Sequence, residues 1–232
     1  MTRAAAIIGA SGGIGAALVR AIEEEGAYDR VHAFSRSATG DAHLDFADED
    51  SVRAAAASIA AGPPLELAVV ATGLLHDGTH GPEKSLAELD PDWLLRNFAV
   101  NTIGPMVVAK HVLPLLPADR RAVFAVMSAR VGSIGDNKLG GWYGYRASKA
   151  ALNMFVRTAS IELARTRPRA IIVGLHPGTV DTGLSKPFQR NVAPGKLFTA
   201  DTSAAHLLDV IDGLKRPDSG NCLDWSGETV VP

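Results

Sequence analysis

The sequence predicts a doubly wound α/β domain, a parallel sheet with helices on both faces, across all 232 residues. Three observations carry that expectation. Short apolar runs alternate with amphipathic segments of helical length from one end to the other, and strands separated by helices pair in parallel because a parallel neighbour needs a crossover. The first apolar run is unbroken, as a strand buried on both faces must be. A chain of this length that is 47% hydrophobic and 21% charged buries a sizeable core without metal or disulfide staples.

The elements follow in order. Ala4–Ile8 is an apolar run stopped by Gly9 and reads as the first strand. Gly13 to Glu25 reads as a helix, with Ile14, Leu18 and Ile22 four apart on one face. Val31–Phe34 is a second strand, Leu44 falls in a short third, and Asp48 opens an alanine-rich helix that Pro63-Pro64 ends. Leu65–Ala71 is the fourth strand. Pro91 to Leu116 reads as two helices broken near Gly104-Pro105. Ala122–Met127 is a fifth strand, followed by a glycine-rich loop from Val131 to Gly141 and a long helix from about Trp142 to Arg165. Ala170–Leu175 is the sixth strand, Thr199–Leu214 the last helix and Cys222 to Asp224 the seventh strand. Residues 1–232 thus read as a single domain, and the aperiodic stretch 182–199 as a mobile flap over a site.

Composition narrows the function. A formal net charge of −2 supplies no basic stripe for nucleic acid and no polybasic segment for a membrane surface. The N-terminal apolar run is too short for a secretion signal, and no stretch is expected to approach the ~18 apolar residues of a membrane span. Cys222 is the only cysteine, so no intrachain disulfide forms; the thiol is expected to be buried and the compartment reducing, hence cytoplasmic.

The turn after the first strand reads Gly9-Ala10-Ser11-Gly12-Gly13-Ile14-Gly15. Glycines let such a turn approach a pyrophosphate with no Cβ in the way, and the helix after it aims free N–H groups and its positive dipole end at the anion. Its place between a buried strand and a helix predicts dinucleotide binding by Gly9, Ser11, Gly13, Ile14 and Gly15 in a Rossmann-type fold. An acidic residue at the end of the second strand would hold ribose hydroxyls and repel a 2′-phosphate. Ser35-Arg36 stands there instead, offering a hydroxyl and a guanidinium, which predicts NADP(H) in preference to NAD(H). Asp45, just after Leu44, is placed to accept from the adenine amino group or to serve its own turn.

Tyr145 and Lys149 stand four apart in the long helix and share a face. A free phenol titrates near ~10 and shuttles protons poorly at neutral pH, whereas an adjacent ammonium favours the phenolate. Taken with Gly9-x-x-x-Gly13-x-Gly15, Asn101 and Pro177-Gly178, this pair resembles the short-chain dehydrogenase/reductase family. The stretch from Gly132 to Asn153 is most similar to its C-factor-like, carbonyl-reductase-related branch.

The resemblance implies a sheet order of 3-2-1-4-5-6-7, a homodimer or homotetramer, and roles at matching positions. Tyr145 is then the general acid in reduction and general base in oxidation, while Lys149 tunes it and holds the nicotinamide ribose. Asn101 matches the asparagine that positions a water in the proton relay, or else is a helix-break residue bonded to backbone. Pro177, Gly178, the Val180 backbone and the Thr182 hydroxyl match the segment that contacts the nicotinamide carboxamide. Two departures stand out. Val70-Ala71-Thr72-Gly73 replaces the family's usual Asn-Asn-Ala-Gly, with Thr72 and Gly73 expected still to reach the cofactor. The substrate-polarising serine, often second in a Ser-Ser pair, falls on Ala129; Ser128 is the first choice to replace it and Ser133 the second, although neighbouring strand residues face opposite ways.

Other residues read as bland. His76, Asp77 and His80 belong to a glycine-rich loop rather than a metal site, and His111 and His176 are expected to be satisfied by backbone. Trp142 and Tyr143 line the substrate mouth or simply pack, and Phe188 is a lid residue or structural. The sequence therefore predicts an NADP(H)-dependent oxidoreductase that interconverts a small-molecule carbonyl and an alcohol. Its rival is a dinucleotide-binding sensor or signalling protein with vestigial turnover.

Overall fold

The computed structural model describes residues 2–232, apart from the side chain of Asn191. Strands β1 (Ala4–Ile8), β2 (Arg30–Phe34), β3 (Leu65–Val70), β4 (Ala122–Met127) and β5 (Ala170–His176) form one sheet with β8 (Cys222–Asp224), and β6 (Thr179–Val180) pairs with β7 (Leu197–Phe198) beside it. The helices are α1 (Gly13–Glu25), α2 (Glu49–Ala60), α3 (Pro91–Phe98), α4 (Gly104–Val112), α5 (Tyr143–Thr166) and α6 (Ala200–Gly213). The main sheet runs β2-β1-β3-β4-β5-β8 with every ladder parallel. Alternation along the strands divides the core. Ala6, Ile8, Phe124 and Val126 face α2, α4 and α5, while Ala5, Ile7, Val123 and Ala125 face α1 and α6.

The expected seven-strand order needs one correction. Leu44 lies in no ladder; its neighbour His43 makes only an isolated bridge to Ser35, and a short 3-10 turn at Gly40–Ala42 takes up the chain. The remaining six strands keep the expected relative order. The order of strand addition reverses between β1 and β3, so the turns after these two parallel strands lie side by side at the carboxyl end of the sheet, where ligands of such folds bind.

Residues 91–115 form one continuous helical run instead of two broken helices. Five residues of π-helix, Ala99–Ile103, absorb the irregularity before Gly104-Pro105. This run is long and apolar enough to cross a bilayer by length and composition, contrary to the expectation from sequence. It is a core helix: Val108, Ala109 and Val112 pack under the sheet, and Asn97, Asn101 and Thr102 are buried. Within the 182–199 stretch β7 pairs with β6, and Lys186–Asn191 forms a 3-10 helix.

Candidate active site

The turn after β1 closes only with glycine. Gly9 has φ +91°, where a Cβ would meet the Thr72 methyl at 2.8 Å, and a Cβ on Gly15 would lie 2.2 Å from the Gly9 carbonyl oxygen. Gly12 caps α1 with no side-chain acceptor and the first turn holds no acid, so the leading amides are left open to an anion. The Thr182 methyl leans over Gly13, 2.6 Å from where its Cβ would stand. Ser11 is exposed and Ile14 half-buried at the same mouth. The Thr72 hydroxyl is buried without a partner, a polar atom pointing for a ligand group. These features fit a dinucleotide lying across β1 and β3. Arg36 is exposed at the end of β2 with no carboxylate partner among the described residues. Asp45 is half-buried, and its Oδ1 accepts from the Ala47 amide at 3.0 Å, the turn role.

Tyr145 and Lys149 come together as the spacing requires. The Lys149 ammonium lies 5.8 Å from the Tyr145 ring centre, donates to the Met127 carbonyl at 2.7 Å, and stands 3.9 Å from a Cβ built on Gly73. Their electrostatics differ from expectation. Burial pushes the phenol up to about 12 and draws the ammonium down to about 8, because desolvation disfavours the charged form of each. Asn101 is wholly buried in the π-turn. Its Oδ1 accepts from the Leu74 amide and its Nδ2 donates to the Leu74 carbonyl, both at 2.8 Å, and to Ser148 Oγ at 3.1 Å. Ser148 Oγ in turn donates to the Tyr145 carbonyl at 2.9 Å. The asparagine side chain thus ties the β3 loop to the helix bearing Tyr145.

Ser128 lines the same cavity as Ala129 and Tyr145, but both candidate serine hydroxyls have partners elsewhere. The Ser128 amide still donates to the Leu175 carbonyl at 2.8 Å, so strand geometry persists one residue beyond β4. Its hydroxyl therefore turns toward α5 and donates to Asn153 Oδ1 at 2.6 Å. Ser133 Oγ accepts from the Asp136 amide at 2.9 Å. Ala129 packs with Leu75 and Tyr145. Around them lies a cavity of about 420 Å³, walled by Leu75, Val131, Trp142, Leu184 and Phe188 and floored by Pro177, Gly178 and Val180. Gly178 has φ +78°, and a Cβ there would strike the Phe198 ring at 2.7 Å. Val180 is buried, and its carbonyl accepts from the Thr182 hydroxyl at 3.5 Å.

Two histidines differ from their reading by sequence. His111 pairs with Glu49 at 2.8 Å rather than with backbone. His176, on the cavity wall, leaves Nδ1 unpartnered, and burial draws it down to about 4. Asp77 is spent on Arg96 and on the amides of Thr79 and His80. Phe188 stacks edge-on against Trp142 at 5.3 Å and His76 at 5.8 Å, joining the 182–199 segment to the cavity. Cys222 is buried, and burial pushes its thiol up to about 11. Glu83, which no pattern singled out, is buried against the start of α5.

Comparison with known proteins identifies the family of the chain. A family model, short chain dehydrogenase, matches residues 3–193. C-signal from Myxococcus xanthus is 36% identical over 182 residues, covering 78% of this chain and 99% of that protein. The 1-hydroxy-2-glutathionyl-2-methyl-3-butene dehydrogenase of Rhodococcus sp. (strain AD45) is 31% identical over 224 residues, 92% of each chain. Among solved structures, a short-chain dehydrogenase/reductase from Burkholderia multivorans with bound NADP superposes over 100% of both chains, with a TM-score of 0.80 and 27% identity.

Proposed function

This chain belongs to the short chain dehydrogenase family, and on that premise we propose that it is an NADP(H)-dependent reductase of apolar carbonyl compounds working through Tyr145. One observation carries the reading: Tyr145 lines a largely apolar cavity, with the Lys149 ammonium buried 5.8 Å from its ring centre and close to Gly73. A bound nicotinamide supplies or takes the hydride. The chain does the rest. Gly9, Gly13 and Gly15 with the amides of α1 hold the pyrophosphate, and Arg36 faces the 2′-phosphate. Asp45, Thr72 and Gly73 line the path between adenine and nicotinamide ribose. The Val180 backbone and Thr182 hydroxyl, beyond Pro177-Gly178, hold the carboxamide. Tyr145 passes its proton to the carbonyl oxygen, Lys149 steadies the phenolate left behind, and Asn101 fixes the helix through Ser148. Ser128 acts through Asn153, leaving the phenol as the hydroxyl that polarises the substrate.

The test is NADPH oxidation with a panel of aldehydes, ketones and quinones. Tyr145→Phe should cut kcat by ~10²-fold or more; equal rates refute the role given to Tyr145. A second reading, signalling by the dinucleotide-bound protein, is favoured by Ala129 in place of a polarising serine and by the likeness to C-signal; NADPH binding without turnover of any carbonyl would select it. Leu95, Ile103, Met106, Met154 and Ile161 are exposed on α3, α4, α5 and the π-turn, a surface that suits self-association into a homodimer or homotetramer. The lone buried thiol suits a cytoplasmic setting.

A further inference from the structure

Trp142 is the only non-glycine residue with positive φ among the described residues, at φ +54°, ψ +42°. A left-handed backbone under a bulky side chain costs free energy and persists only where the surroundings enforce it. Two glycines of φ +64°, Gly140 and Gly141, lead into it, and the strain ends where α5 begins.

The enforcing group is Glu83, 2% exposed and delivered by the loop after β3. Its backbone carbonyl accepts from the Trp142 amide at 2.5 Å, and its Oε2 accepts from the Gly144 amide at 3.0 Å. Oε1 has no partner and lies against Gly144, 2.8 Å from where a Cβ would stand. One residue therefore grips α5 at two points, immediately before Tyr145. A carboxylate is well placed there, at the positive end of the helix. The held tryptophan packs edge-on against Tyr145 at 6.2 Å and Phe188 at 5.3 Å. Ser148, itself held by Asn101, donates to the Tyr145 carbonyl.

We infer that Glu83 is a positioning residue: its carboxylate, by holding the Gly144 amide beside the backbone contact to Trp142, aims the Tyr145 phenol into the cavity and presents the Trp142 ring to the 182–199 segment. The inference rests on the catalytic reading of Tyr145. It concerns the direction of the phenol, not the chemistry, and it assigns a purpose to the strained backbone.

The experiment compares Glu83→Ala, which removes the side-chain acceptor, with Glu83→Gln, which keeps a carbonyl oxygen for the Gly144 amide. Glu83→Ala should lower kcat by about tenfold or more, since small misplacements of a reacting group are costly, while NADPH affinity stays within about twofold of wild type. Glu83→Gln should restore kcat to within about threefold of wild type. Three results overturn the inference: a Glu83→Ala kcat within about twofold of wild type, a parallel loss of kcat and NADPH affinity, or a Glu83→Gln variant as poor as the alanine. If wild type consumes no NADPH with any carbonyl, the oxidoreductase reading fails, and the clamp is decided by ultraviolet titration of Tyr145, isolated by subtracting Tyr145→Phe. Losing the carboxylate's hold on Gly144 in Glu83→Ala should let water reach the ring and move its titration down toward ~10; an unmoved titration then overturns the inference.

Discussion

Lys149→Met tests the electrostatic account of the site without any substrate. The ammonium is 2% exposed and its titration falls from 10.5 to about 8, chiefly through desolvation. That fall is a preference for the neutral form worth about 3 kcal/mol. Below about 8 both states carry the charge, and the folded state bears the whole penalty. Between about 8 and 10.5 the unfolded chain binds more protons than the folded one, so stability rises with pH. Above 10.5 the penalty is gone. Methionine fills the same unbranched volume with no charge. It also abandons the Met127 carbonyl, now held at 2.7 Å, a loss of ~1 kcal/mol.

The variant should therefore be about 2 kcal/mol more stable than wild type near pH ~7 and about 1 kcal/mol less stable above pH ~10.5. Urea unfolding followed by circular dichroism at several pH values measures both. Tyr145, pushed up to about 12, is present in both proteins; Cys222, pushed up to about 11, is electrostatically coupled to Lys149, so both proteins carry Cys222→Ala in this comparison. A Lys149→Met protein less stable near neutrality, or a difference flat with pH, refutes the claim that a buried ammonium is held here at a cost. Turnover should vanish as stability rises, the pattern expected where a strained site is kept for function.

Two further changes test specific positions. Ala129→Ser places a hydroxyl beside Leu75 and Tyr145, where a second donor can share the carbonyl oxygen; kcat should rise about tenfold or more at ~1 kcal/mol cost in stability, and an unchanged kcat in steady-state assays counts against Ala129 facing the substrate. Arg36→Glu sets a carboxylate at the end of β2, so the Kd ratio of NADPH to NADH should invert by ~10²-fold or more; fluorescence titration of both cofactors reads it, and an unmoved ratio removes Arg36 from the site.

What could be read from sequence follows the range of the interactions. The bounds of α1 fell where expected, Gly13–Glu25, because glycines stop the strand before it and nothing but local pattern sets its start. The Tyr145/Lys149 pairing was equally local, one turn of helix. The direction of their titration was not, since it depends on how completely β3, β4 and the 182–199 segment enclose them, and enclosure is a property of the packed chain. Leu44 has an apolar character that suits a strand, yet its burial comes from packing against α2 and α4 rather than from a ladder. Glu83 left no signal at all: its partners Trp142 and Gly144 lie about sixty residues away, and a glutamate after proline in a polar loop has the composition of an ordinary surface turn.

The serine question shows how far a simple geometric rule reaches. Alternation along β4 sends Ala122, Phe124 and Val126 to the α2, α4 and α5 face, and Ser128 continues that series because its amide remains in the ladder with β5. Its hydroxyl must then meet α5, where Asn153 accepts it. Ala129, next along, must turn the other way at the strand tip, and it does, against Tyr145. A sequence swap of the two residues would place the hydroxyl at the phenol without moving the backbone. Serine is present in this chain one position too early. The site therefore forgoes a second donor through the pleat of a strand, not through any failure of the cradle, the helix or the phenol to assemble.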